Sequence, residues 1–319
     1  MNGTTPKVTV ILTVYERTQF LREAIQGVLQ QDYDNYEVLV TDDSASAKIQ
    51  SICESLNVGG RIRYRSNSPR AGVALNVRAA WMEARGEFVT ILNDDDAWEP
   101  GFLRHLVSAL QKNPDCVLAF SDHWLMDSQG QIDIAATDAN TRLYRRDRLP
   151  AGPISATADL VLIGNSVPLV MAAVIKKSAI PPEVLSREVG GAYDFWLSCC
   201  LAATGRPFCY VPERLTRYRL HPQMETARQA EGKSLEMVHI FQALLDTNKF
   251  PRHAPLIRRR LAGAFFQCGK ESLQWGNRRN ARHYFKRSLA TAVSLRPIVG
   301  LMLACLPDRK TGDTNRDPA

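Results

Sequence analysis

The stretch VTVILTVYERTQFLREAIQGVLQQDYDNYEVLVTDDS, Val8–Ser44, decides the fold. Val8–Thr13 is a short run of apolar and β-branched residues. Phe20, Leu21, Ala24, Ile25, Val28 and Leu29 then recur at helical spacing, and Glu37–Thr41 is again apolar. A strand, a helix and a second strand in this order make a βαβ unit, with parallel strands and a right-handed crossover. The rhythm continues outward. A helix pattern runs through Ile49, Ile52, Cys53 and Leu56, then a strand Arg61–Arg65, a helix Val73–Ala84, a strand Glu87–Leu92 and a helix Pro100–Leu110 with proline at its start. A mostly parallel sheet with flanking helices is expected.

After Val117 the rhythm changes. Trp124–Met126 and Ile132–Ile134 flank Asp127–Gly130 and predict a hairpin. Asn140–Pro153 is polar and arginine-rich and predicts a long loop. Val167–Ile175 and Leu215–Tyr218 read as strands and Tyr193–Ala203 as a helix; from Ser234 onward the chain reads as helix. The expected organisation is an α/β domain over 1–228, divided near 126, a helical extension over 229–306, and a disordered tail over 307–319.

Of the 319 residues 45% are hydrophobic and 23% charged, which excludes a disordered or fibrous chain. The 7 cysteines lack disulfide or zinc spacing, and a reducing compartment is expected. The N-terminus MNGTTPKVTV has no signal-peptide layout, and no apolar stretch reaches the roughly 18–20 residues of a membrane span. A cytoplasmic protein is therefore expected. Net charge is +7, unevenly placed: Arg252–Ala319 holds 14 Lys+Arg and 4 Asp+Glu, so the rest of the chain is slightly acidic. No nucleic-acid signature accompanies the basic region, and nucleic acid is not expected as a partner; an anionic membrane surface is the other candidate. G-x-G-x-x-G and G-x-S-x-G are absent, which removes a Rossmann dehydrogenase and a serine hydrolase. Gly232-Lys233-Ser234 has alanine at 227 and no preceding strand, so it is not a phosphate loop.

In an open parallel sheet ligands bind beyond the carboxyl ends of the strands. There the first strand leads into Thr13–Arg17, the second into Asp42-Asp43-Ser44 and the fourth into Asn93-Asp94-Asp95-Asp96. Three adjacent aspartates repel one another. Water and the helix beginning near Pro100 would offset the repulsion; a divalent cation would do so while keeping positions open for phosphate. The second acidic pair on the same rim favours the cation. Asp42 and Asp43 read either as a cap with a solvated neighbour or as acceptors for a nucleobase or ribose. Tyr15 reads as a turn aromatic or as a stacking face for a base.

With NSPRAGVALNVRAAWMEARGEFVTILNDDDAW (67–98), YDFWLSCCLA (193–202) and RYRLHP (217–222), the opening stretch resembles the inverting family 2 glycosyltransferases of bacterial type, with the GT-A fold. Residues 8–126 resemble their nucleotide-binding half. The resemblance implies that Thr13, Tyr15 and Glu16 line the nucleotide base, that Asp42 reads it with Asp43 beside it, and that Asp94, Asp95 and Asp96 are the DXD motif. Asp96 would hold Mn²⁺ or Mg²⁺, Asp94 the ribose or the cation, and His221 would approach the diphosphate or metal. Arg70 or the arginines of Arg142–Arg148 would help neutralise the diphosphate. Glu16 stands where members often have Asn. Gly191 and Ala192 stand where members carry an acidic pair, which leaves Asp194 as the base and Glu188 as the alternative.

The implied function is transfer of a sugar from a nucleotide-diphosphate donor, a UDP-sugar favoured, to a saccharide or lipid-linked acceptor in surface polysaccharide or glycoconjugate synthesis. A catalytically inactive sugar-nucleotide-binding or scaffold protein is the alternative. Leu256, Ile257, Leu261, Ala264, Phe265 and Cys268 form one apolar stripe, and Ala281, Tyr284, Phe285, Leu289 and Ala292 another. With Gly276-Asn277 between them, they predict an antiparallel, tetratricopeptide-like pair docked on the catalytic domain. The basic outer faces and the apolar Pro297–Leu306 read either as a solvated face with a core helix, or as peripheral attachment to the inner face of a cytoplasmic membrane.

Overall fold

The computed structural model describes residues 7–222, 233–292 and 295–305; the expected tail 307–319 lies outside them. The chain divides into two compact units, Met1–Arg228 and Gln229–Ala319.

The first unit is built on a nine-stranded mixed sheet. Its first half follows the βαβ reading: β1 (Val8–Val14), α1 (Leu21–Leu29), β2 (Tyr36–Asp42), α2 (Ala47–Leu56), β3 (Ile62–Ser66), α3 (Val73–Glu83) and β4 (Phe88–Asn93). β1 pairs in parallel with β2 on one side and β4 on the other, and β3 continues beyond β2. All seven residues of β1 and of β2 are buried, as expected for strands covered on both faces. Then come β5 (Ala97–Trp98), α4 (Phe102–Lys112), β6 (Leu118–Met126), α5 (Ile134–Leu143), β7 (Gly152–Ile154), β8 (Ala173–Lys176), α6 (Tyr193–Ala202) and β9 (Phe208–Arg219). The sheet order is β3-β2-β1-β4-β8-β6-β9-β5, with β7 also on β9. β8 runs against both its neighbours, while β6 and β9 are parallel.

Three local expectations differ from the structure. The hairpin after Trp124 reduces to a single bridge, Met126 to Ile132, because Ile134 already starts α5. Asp133 caps that helix, its Oδ1 accepting the Ala136 N–H at 2.8 Å. The predicted loop over 140–153 instead holds the end of α5, a 3₁₀ turn at Arg146–Arg148 and β7. Its arginines are not all solvated: Arg146 is buried, with Nε donating to Asp122 Oδ1 at 2.6 Å. The predicted strand Val167–Ile175 is interrupted at Met171, which has φ 73°, so only Ala173–Lys176 pairs.

The second unit is helical: α7 (Lys233–Asp246), α8 (Ala254–Gln274), α9 (Arg278–Thr291) and α10 (Leu295–Cys305). Gly276, with φ 74°, turns the chain between α8 and α9. The two pair antiparallel: Ser288 Oγ donates to Ala262 O at 2.7 Å, and the Phe266 and Phe285 rings lie 5.6 Å apart. Among the described residues no helix is long and apolar enough to cross a membrane.

Gly86 shows how tightly β4 enters the first unit. Its N–H donates to Thr9 Oγ1 at 2.9 Å, and an added Cβ would sit 2.5 Å from Thr9 N and 2.6 Å from Phe88 O, both backbone atoms that cannot yield. Gly86→Ala is expected to cost about 1–3 kcal/mol, read as a lower urea midpoint at unchanged slope. A midpoint equal to wild type would mean that the strand entry is loose.

Candidate active site

Asp94, Asp95 and Asp96 make up the entire connection between β4, which ends at Asn93, and β5, which begins at Ala97. Both ends of the turn are fixed. β4 is zipped to β1, while Ala97 and Trp98 pair with Arg217 and Thr216 of β9. Trp98 Nε1 donates to Met171 O at 2.7 Å. The three aspartates are 3, 8 and 1% exposed. The expected offset by the helix near Pro100 is not what the structure shows, since α4 begins at Phe102 and β5 intervenes.

The offset comes instead from cationic side chains and backbone donors brought from both ends of the domain. Arg17 Nη2 reaches Asp94 Oδ1 at 2.5 Å and its Nη1 reaches Asp95 Oδ2 at 2.8 Å. His221 Nε2 lies 3.1 Å from the same Asp95 oxygen. The Arg219 N–H donates to Asp96 Oδ1 at 3.0 Å, its Nε to Asp95 O at 2.8 Å and its Nη2 to Glu23 Oε2 at 2.6 Å. Even so, burial pushes the Asp94 carboxyl up to about 7 against the pull of Arg17, and burial with the neighbouring Asp95 charge raises Asp96 well above the usual carboxylate range. Asp94 Oδ2 and Asp96 Oδ2 are buried without a hydrogen-bond partner.

Two orphaned carboxylate oxygens in a water-poor turn are the donor set a hard divalent cation takes. The residues fit such an ion, although among the described residues no three His, Cys, Asp or Glu side chains form a ready-made metal cluster.

The residues expected to line a nucleotide gather beside this turn. Thr13 Oγ1 donates to Asn93 Oδ1 at 3.0 Å. The Arg70 guanidinium lies 3.9 Å from the centre of the Tyr15 ring, with its Nε 3.5 Å from Asp43 Oδ2. Asp43 also accepts the Ala71 and Gly72 N–H groups, both at 2.8 Å. Asp42 is wholly buried. Its Oδ1 accepts from the N–H and hydroxyl of Ser44, its Oδ2 from the Ser46 N–H and the Tyr64 hydroxyl, at 2.6–2.8 Å. That fills the roughly four acceptor positions of a carboxylate, so in this structure Asp42 holds the loop that leads into α2.

Asp194 stands in the first turn of α6, its Oδ1 accepting the Phe195 N–H at 2.7 Å, and burial raises its carboxyl. Its neighbour Tyr193 places that turn relative to the acidic loop: burial and then the charges of Asp194, Asp96 and Asp95 raise its hydroxyl. Gly191 and Ala192 lie in the 3₁₀ stretch Arg187–Ala192, where Glu188 is exposed.

Arg17, Arg219 and Glu23 were not singled out from the sequence. The available signal was charge balance, since three buried aspartates require cations nearby and RYRLHP supplies one two residues before His221.

Residues 9–150 match the family model described as Glycosyl transferase family 2. These residues are a family 2 glycosyltransferase domain. Over 129 residues the chain is 35% identical to the GalNAc(5)-diNAcBac-PP-undecaprenol beta-1,3-glucosyltransferase of Campylobacter jejuni, covering 40% of this chain and 41% of that protein. Over 106 residues it is 34% identical to the putative colanic acid biosynthesis glycosyl transferase WcaA of Escherichia coli, covering 31% and 38%. The chain thus spans less than half the length of either relative. Staphylococcus aureus TarS 1–349 in complex with UDP-GlcNAc superposes with a TM-score of 0.65 at 13% identity, over 93% of this chain and 89% of that one. The mannosyltransferase PcManGT of Pyrobaculum calidifontis, in complex with GDP-Man and Mn²⁺, gives 0.54 at 18% identity, over 94% and 79%. The fold is GT-A with a helical extension.

The departure at Glu16 now has a physical cost attached. Glu16 has φ 60°, and its N–H donates to Ser44 Oγ at 3.2 Å. Asn enters this left-handed region more readily than Glu. Glu16→Asn is therefore expected to stabilise the protein by about 0.5–1 kcal/mol, measured by denaturant titration. A destabilised variant would show that the Glu16 side chain holds the loop by a contact worth more than the strain.

Proposed function

We propose that the chain is a metal-assisted, inverting transferase. It moves a sugar from a nucleotide-diphosphate donor, a UDP-sugar first among them, to an acceptor hydroxyl in bacterial surface polysaccharide or glycoconjugate synthesis. The observation that carries this reading is the pair of orphaned oxygens, Asp94 Oδ2 and Asp96 Oδ2, in a rigid turn beside the base-sized face of Tyr15. The solved neighbours, with UDP-GlcNAc or with GDP-Man and Mn²⁺, support the donor class and the use of a divalent cation.

In this reading Tyr15 and Thr13 flank the nucleoside, and Arg70 swings from the Tyr15 ring to meet it. Asp42 serves from behind, fixing the loop that Asp43 and Arg70 share. Held by Asp96 and Asp94 with His221 alongside, Mn²⁺ or Mg²⁺ would neutralise the charge that develops on the leaving diphosphate. Asp194 takes the proton from the acceptor hydroxyl as that oxygen forms its bond to the anomeric carbon. The bond from that carbon to the diphosphate oxygen breaks on the opposite face, and the configuration inverts. A raised carboxyl suits this role, because a base works best when its pKa approaches the working pH. Glu188, exposed near the start of the 3₁₀ stretch, is the alternative base. The relatives support a saccharide or lipid-linked acceptor, which would place the protein at the inner face of the cytoplasmic membrane.

Thermal shift against a panel of sugar nucleotides, followed by nucleoside-diphosphate release with and without acceptor extracts, tests the reading. A donor that stabilises the protein and is never turned over would favour the inactive binding protein.

Three expectations refine it. Asp96→Ala should abolish transfer without unfolding. Because Asp94 keeps its proton until about pH 7 and a cation must displace that proton, Mn²⁺ should raise Tm more at pH 8 than at pH 6. An equal rise at both would remove Asp94 from the ligand set. Asp194→Asn should slow transfer by roughly 10²–10⁴-fold at unchanged donor affinity, with Glu188→Gln near wild type; the reverse pattern moves the base to Glu188.

A further inference from the structure

Helix α10 packs with the wrong side for a core helix. Pro297, Gly300 and Ala304 are buried, while Leu295, Ile298, Val299, Met302 and Leu303 are 79, 38, 56, 65 and 51% exposed. The exposed five follow the i, i+3, i+4, i+7, i+8 repeat of a single stripe, which in a helix of a globular protein ordinarily faces the core. Small residues on the inner side explain the inversion. A Cβ on Gly300 would fall 2.7 Å from the Phe285 ring, so glycine lets α10 lie close on α9 and leaves its large side chains no place but outward.

The stripe is also held in place. Arg278 Nη1 donates to Leu303 O at 3.1 Å and Arg282 Nη1 to Ala304 O at 3.0 Å, tying down the last turn. These guanidiniums stand beside the apolar ridge. From Arg278 to Cys305 the chain carries six Lys+Arg and no Asp or Glu. Trp275, 59% exposed, lies three residues before Arg278. The expected alternative of a core helix with a solvated basic face does not fit an apolar face turned outward.

We propose that the α10 ridge is a seat for an anionic lipid surface. The five side chains enter the boundary between headgroups and acyl chains, and the neighbouring arginines and Lys286 meet the lipid phosphates. The chemistry selects this occupant. A second copy meeting ridge to ridge would press two uncompensated basic surfaces together. Nucleic acid would use the charge but have no use for the ridge. At 11 residues α10 is too short to span a bilayer, so it lies in the surface plane. The docking needs nothing from the transferase reading; a lipid-linked acceptor would give it a purpose.

The test is co-sedimentation of the full chain with vesicles of phosphatidylcholine alone or mixed with phosphatidylglycerol. Partition onto the anionic vesicles should exceed that onto neutral ones by about tenfold or more and fall as salt rises. The double variant Val299→Asp/Met302→Asp should lose about tenfold or more while keeping the wild-type Tm, since both side chains are exposed. Arg279→Gln/Arg296→Gln should lose about tenfold at low salt only. Equal, negligible binding to both vesicle types would overturn the proposal, as would ridge variants that bind like wild type. A wild-type dimer that Val299→Asp/Met302→Asp turns into a monomer would assign the ridge to self-association. Each of these outcomes leaves donor binding untouched, so failure here is distinct from failure of the transferase reading.

Discussion

Three consecutive carboxylates, held nearly out of reach of water, set the terms for the rest of the first unit. Burying one ionised group without a partner costs several kcal/mol, and here three share one turn. The structure answers from far apart in sequence. Arg17 comes from the loop after β1, and Arg219 and His221 come from the end of β9. Arg219 then reaches on to Glu23 in α1. The first and last parts of the unit are thus joined at its most charged point. The joining is incomplete by two oxygens, which is where a ligand can be more stabilising than any protein group.

The same turn explains the role of Trp98. A connection made wholly of aspartates has no apolar side chain to anchor it, so the anchor must come from its flanks. Trp98 supplies it, packed 4.2 Å from Phe102 and hydrogen-bonded to Met171. On the same rim Asp42 does comparable work for the loop entering α2, and Asp43 for the segment 70–72. Asp42 and Asp43, which read from the sequence as ligand contacts, thus tie loops of the protein itself together.

The first half of the fold was legible because its elements follow local rules. β1 and β2 are buried on both faces and read as unbroken apolar runs, and α1 has one apolar face. The clustering of Thr13, Tyr15, Asp42 and Asp94–Asp96 followed from strand ends alone. What was not legible depended on distant partners. The arginines of 142–148 read from the sequence as a loop available to a diphosphate, yet Arg146 is buried against Asp122 on β6. The strand expected over 167–175 has the right composition, but Met171 takes up a left-handed conformation that no apolar pattern announces. Nor does hydrophobicity alone say which way α10 faces; Gly300 and Phe285 decide that.

Strand β8 has a geometric consequence for the cleft. Among the described residues it pairs with β4 at Phe88 and Val89 and with β6 at Leu118–Phe120. Past those points β4 has no partner on that side in the β8 register, and it runs on to Asn93 and the acidic turn. Residues 169–172 lie against both β4 and β6, and the Met171 carbonyl accepts the Trp98 indole N–H. The sheet behind the acidic turn is thus backed by a few apolar side chains. A change of volume at Leu169 or Met171 would shift Trp98 and, through it, the flank of the acidic turn, from a position that never touches an aspartate.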